Sequence, residues 1–115
     1  MSKATTTNTI PLYDVFEREM ALFRRNVQIL SLVYQKQSIG IVRLSRETGL
    51  PLHKVRYSLH ILEKEGLIQA KPRGASPTPH TKVFLENISE LVGRFKTEFD
   101  DLEQTIQGEL KQKKR

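Results

Sequence analysis

The sequence predicts a mainly α-helical chain with one small β-hairpin, in the order helix, helix, helix, hairpin, helix. Three observations carry this expectation. Two long stretches, one near each end, repeat apolar residues at spacings of three and four. Between them lie two short helical patterns separated by Gly49-Leu50-Pro51. The run Leu67-Ile68-Gln69-Ala70-Lys71 then leads into a segment crowded with proline, which excludes continued helix.

Residues 1–10 are polar, rich in threonine and without periodicity, and are expected to form a disordered tail. From Pro11 onward, Leu12, Phe16, Met20, Phe23, Val27, Leu30 and Val33 form a single stripe. One helix over about residues 12–36 accounts for it, with a break near Ala21 as the alternative. Ser38-Ile39-Gly40 is too short for more than a bridge. A short helix follows over about 41–48, with Gly40 as its N-cap and Ile41 and Leu44 facing inward. Gly49 sits at the left-handed position that ends it. Pro51 opens the next helix, because a first-turn N–H has no intrahelical partner to lose. Leu52, Val55, Leu59 and Leu62 give that helix its buried stripe, and Gly66 stops it.

Residues 67–71 read as a strand, and 72–79, with three prolines and Gly74, as a loop. Residues 81–85 read as the return strand, with Val83 and Leu85 on one face. Asn87 and Glu90 have capping-box spacing, so the last helix is expected to start there and run to about residue 110. With Val92, Phe99 and Ile106 at heptad position a, Ile88, Phe95 and Leu102 fall at d. The expected division is a core over 11–86 and a C-terminal helix with a basic tail over 87–115.

The chain has 115 residues, enough for one small core. It has no cysteine, which excludes disulfides and thiolate metal sites. No apolar run approaches the roughly 18 residues that span a bilayer, and the N-terminus lacks the apolar stretch of a signal peptide. A soluble cytoplasmic protein with no membrane partner is expected. The formal net charge is +6. It is concentrated in residues 38–82, which carry eight basic and three acidic side chains, whereas 83–115 carry six and seven. Such a local excess suits a phosphate-binding surface, and equally a solvated basic face.

Three segments carry a resemblance: Leu44-Ser45-Arg46-Glu47-Thr48-Gly49-Leu50-Pro51, then Val55-Arg56-Tyr57-Ser58-Leu59, then Leu62-Glu63-Lys64-Glu65-Gly66-Leu67-Ile68. Together residues 40–85 resemble the winged helix-turn-helix of prokaryotic transcriptional regulators, the MarR-like and ArsR-like groups. The match spans about two-fifths of the chain. It implies a winged helix-turn-helix core flanked by long N- and C-terminal helices. It also implies a sequence-specific DNA-binding regulator that works as a homodimer, its second short helix lying in a major groove. Pro51 departs from the family, where a serine or threonine often caps this helix and touches phosphate.

On that reading the outer face of the second short helix, carrying His53, Lys54, Arg56, Tyr57 and His60, meets double-stranded DNA. Arg56 is the candidate for guanine, since its fork matches the O6 and N7 acceptors. Lys71, Arg73 and Lys82 are assigned to the wing, on the backbone or in a minor groove. Arg43 and Arg46 are assigned to flanking phosphates. Ile88, Val92, Phe95, Phe99, Leu102 and Ile106 form the expected dimer seam, and residues of the N-terminal stripe are candidates to pack beside the two phenylalanines. The stripes have a second option, packing on each other within one chain. The three histidines lack the companion ligands that zinc requires, and no nucleophile motif, phosphate loop or paired carboxylates are present. No metal, cofactor or catalytic role is expected, and no signal for a small-molecule effector is evident. The rival readings are a protein-docking winged helix and a non-specific architectural DNA binder.

Overall fold

A computed structural model describes residues 11–114 of the chain. The expected tail over residues 1–10 lies outside the described residues. The elements are α1 (Pro11–Lys36), β1 (Ile39–Gly40), α2 (Ile41–Thr48), α3 (Leu52–Lys64), β2 (Ile68–Lys71), β3 (Gly74–Pro77) and α4 (Thr81–Lys114). The fold is therefore mainly helical, with one small three-stranded antiparallel sheet in the order β1-β3-β2. The chain divides into two compact units, with the boundary in sequence between Thr81 and Lys82.

In the first unit the second half of α1 packs on α2, α3 and β3. Ile29, Leu30 and Val33 of α1 are fully buried there, together with Leu44 of α2 and Val55 of α3. Leu62, Leu67, Ile68, Ile39 and Ala75 complete the core. Each fully buried leucine, isoleucine or valine side chain contributes roughly 1.5–3 kcal/mol relative to exposure. The α1 helix is continuous through Ala21, but its stripe divides: Phe23 and Val27 are half-buried, and Leu12 is 81% exposed.

The corner between α2 and α3 follows the expectation closely. Gly49 takes φ 75° and its N–H donates to the Ser45 carbonyl at 2.9 Å. Only glycine adopts this left-handed conformation without steric cost. The Ser45 hydroxyl donates to the Leu50 carbonyl at 2.6 Å, and Leu50 N–H donates to Thr48 Oγ1 at 3.3 Å. Pro51 is the N-cap of α3 and provides no side-chain bond there. At the far end Gly66, also at φ 75°, donates to the Glu63 carbonyl, and Leu67 N–H donates to the Leu62 carbonyl. This paired arrangement is a Schellman stop, with buried Leu62 and Leu67 supplying its apolar contact.

The hairpin differs from the expectation. Its return strand is Gly74–Pro77, inside the segment read as loop, and its turn is only Pro72-Arg73. Glycine, alanine, serine and proline have little intrinsic strand preference. What makes them a strand is pairing on both sides, with Ile39 opposite Ala75 and Ala70 opposite Ala75. At Gly74 a Cβ would lie 2.0 Å from the Ile39 carbonyl oxygen, so this close approach needs glycine. Pro77 is tolerated because the two-residue β1 no longer pairs there.

Residues 81–85, expected as a strand, instead open α4. The cap is Thr78-Pro79-His80-Thr81: His80 N–H donates to Thr78 Oγ1, and Thr78 N–H donates to Thr81 Oγ1 at 2.9 Å. This is a reciprocal capping arrangement with proline in the first turn. The Asn87 and Glu90 pair, read as a helix start, lies within α4. The second unit is the remainder of α4, where Ile88 is half-buried and Val92, Phe95, Phe99, Leu102 and Ile106 are exposed.

Candidate nucleic-acid interface

The α3 helix has a buried side and an open side. Val55, Ser58 and Leu62 point inward and Leu59 is half-buried. Leu52, expected in the buried stripe, is instead 37% exposed at the first turn. The open side carries His53, Lys54, Arg56, Tyr57 and His60, as the spacing predicted, and Glu63 and Lys64 as well.

Beside α3, the hairpin turn presents Lys71 and Arg73, both exposed. An open groove of about 320 Å³ lies between helix and hairpin. Arg56, His60 and Glu63 line it from α3, and Lys71 and Arg73 from the hairpin. Residues 56, 60, 71 and 73, chosen from two separate segments, thus meet in one concavity. Its floor includes the apolar Ile41, Leu59 and Ile68. Glu63 is the one carboxylate in the groove lining.

The hairpin is held from behind as well as from below. Ile41 N–H, at the start of α2, donates to the Arg73 carbonyl at 2.8 Å. The Thr78 hydroxyl donates to the Gly66 carbonyl at 2.8 Å, and the Thr81 hydroxyl to the Leu67 carbonyl at 2.7 Å. These bonds fix both strands relative to the end of α3.

The remaining assigned residues divide. Arg46 is exposed on α2. Arg43 is also exposed, but its Nε donates to Glu47 Oε2 at 2.6 Å, so part of its guanidinium is already engaged. That hydrogen bond, then the charges of Arg43, Lys36 and Arg46, hold the Glu47 carboxyl below the usual carboxylate range against a smaller desolvation penalty. Lys82 is not a hairpin residue: it lies in the first turn of α4, because the strand assigned to it does not form.

One residue of this region was not singled out by sequence. Arg25 of α1 donates from Nε to Ser58 Oγ at 3.0 Å. Its guanidinium carbon also lies 5.8 Å from the centroid of the Tyr57 ring, a cation–π distance. The available signal was Ser58 itself. A hydroxyl three residues after Val55 and four before Leu62 occupies the inner face, where it needs a partner.

Among the described residues, no group of three or more His, Asp or Glu side chains is placed to hold a metal ion. No helix among them is long and apolar enough to cross a membrane. No protein-family profile and no curated protein sequence matches the chain.

Proposed function

We propose that this protein is a sequence-specific DNA-binding transcriptional regulator. In this reading residues 39–77 form a winged helix-turn-helix, α3 is its recognition helix and the β2–β3 hairpin is its wing. The protein acts as a homodimer paired through α4. The observation that carries the reading is the groove where Arg56 and His60 of α3 converge with Lys71 and Arg73 of the hairpin. Four donors facing one concavity suit the phosphate backbone between a major groove read by α3 and a minor groove met by the hairpin. The exposed His53, Lys54 and Tyr57 extend the same face along α3.

Arg56 and Lys54 supply base-edge contacts, and Lys71 and Arg73 supply charge that does not depend on sequence. Selection of bound duplexes from a random pool, followed by titration at several salt concentrations, tests the proposal. The expected result is a recurring motif with two-fold symmetry and affinity that falls steeply with salt. Absence of binding even at low salt would overturn the proposal in favour of a protein-docking role. Binding without any enriched motif would point to architectural packaging.

A further inference from the structure

Arg25 reaches from α1 to the edge of the open face of α3, and it does so without an anion. Its Nε donates to Ser58 Oγ at 3.0 Å, and its guanidinium carbon lies 5.8 Å from the Tyr57 ring centroid. A guanidinium has five N–H groups. Arg25 makes no further hydrogen bond and no ion pair with a described residue. Sequence explains the missing carboxylate: neither residues 20–36 of α1 nor residues 52–62 of α3 include Asp or Glu. We infer that Arg25 binds a DNA backbone phosphate on the groove wall opposite the hairpin, an inference that rests on the function proposed above.

Position supports this target. A helix about 10–12 Å across fills a major groove about 12 Å wide, so a phosphate backbone runs along each of its flanks. The hairpin serves one flank of α3, where Arg56, Leu59 and Glu63 line the groove with Lys71 and Arg73. At about 3.6 residues per turn, Lys54 and Tyr57 fall on the flank away from Leu59 and Glu63. Arg25 meets α3 at Tyr57 and Ser58, on that second flank. Each wall of the groove thus receives cations from an element packed against α3: the hairpin on one side and α1 on the other.

Geometry supports the chemistry. The Ser58 bond occupies Nε and leaves both terminal nitrogens, whose paired N–H groups match two phosphate oxygens. The hydroxyl and the ring restrict a long side chain before DNA arrives, which lowers the ordering cost of the contact. Arg25 is half-buried and Tyr57 beside it is exposed, so the cation sits where a phosphate can reach it while water is partly excluded.

The test uses the full chain and a duplex selected by it from the random pool. Arg25→Gln should weaken all duplexes alike and reduce the salt slope by about one. Arg25→Lys keeps the charge and Ser58→Ala keeps the arginine, so both should retain the slope while binding less tightly. Phosphate ethylation interference with the unaltered protein should find sensitive phosphates on both walls of each half-site. Arg25→Gln should erase one on the wall that Lys71→Ala leaves intact. An unchanged slope and footprint for Arg25→Gln would overturn the inference. So would an equal slope loss in Ser58→Ala, which would mean that Arg25 acts only by propping α3. Sensitivity on a single wall in the unaltered protein would overturn it as well, even if Arg25→Gln failed to fold. In each of these cases duplex binding by the unaltered protein still stands, whereas its absence at low salt would overturn both the inference and the function beneath it.

Discussion

Ser58 is a buried hydroxyl on α3, and its partner, Arg25, comes from α1. Removing the partner and removing the hydroxyl therefore have unequal costs. Arg25→Ala leaves a buried oxygen without a bond and should lower stability by about 1–3 kcal/mol. Ser58→Ala leaves a half-exposed guanidinium that water can satisfy, and should cost less. Urea unfolding of both single variants and the double variant checks this. Strict additivity would show that the bond contributes nothing. Glu47 offers a pH test. Its folded-state pKa is depressed, so its contribution to stability is present above the usual carboxylate range and is lost as pH falls through the lowered value. An NMR titration should place Glu47 below the usual carboxylate range, and Arg43→Ala should move it back up.

At the scale of elements, what the sequence revealed and what it hid have distinct physical origins. The α1, α2 and α3 helices were legible because periodicity, Gly49, Pro51 and Gly66 are all local signals. The open face of α3 followed from the same periodicity. The β3 strand was not legible, because Gly74–Pro77 is a strand only through its neighbours, and its decisive feature is a close approach to a residue 35 positions earlier. The start of α4 was missed for a different reason. Thr81 stands in for the usual glutamate of a capping box, so Asn87 and Glu90 looked like the better cap. Lys82 was misplaced as a direct consequence. Gly74→Ala should separate β1 from β3 and cost about 3 kcal/mol or more, since the clash is with backbone rather than with a flexible side chain. Thermal unfolding measures it, and a shift no larger than that of an ordinary surface variant would mean the sheet yields easily.

For the whole molecule, the proposed function assigns DNA contact and pairing of two copies to different elements. Arg56→Ala should relax base preference by about 1–3 kcal/mol at one position of the motif. Lys71→Ala should weaken all sequences alike and reduce the salt slope by about one. Uniform and equal losses in both variants would contradict the division of roles. Glu63→Gln removes the one carboxylate lining the groove and should tighten binding to any duplex, visible in the same titration. Truncation after Glu86 keeps the buried Thr81 and its bonds, so the first unit should remain folded and bind DNA weakly as a monomer. An unchanged oligomer by sedimentation would remove α4 from the seam.

The bond from Ile41 N–H to the Arg73 carbonyl has a thermodynamic consequence. A free hairpin tip loses conformational entropy when a partner orders it, at about 1–2 kcal/mol per backbone residue fixed. Here the turn is clamped to the start of α2 before any partner arrives, and Pro72 restricts it further. Association should therefore carry little ordering penalty at Lys71 and Arg73. The mark of such preorganisation is kinetic: the Ile41 amide should exchange with solvent deuterium slowly in the free protein, as slowly as amides of the α1 core.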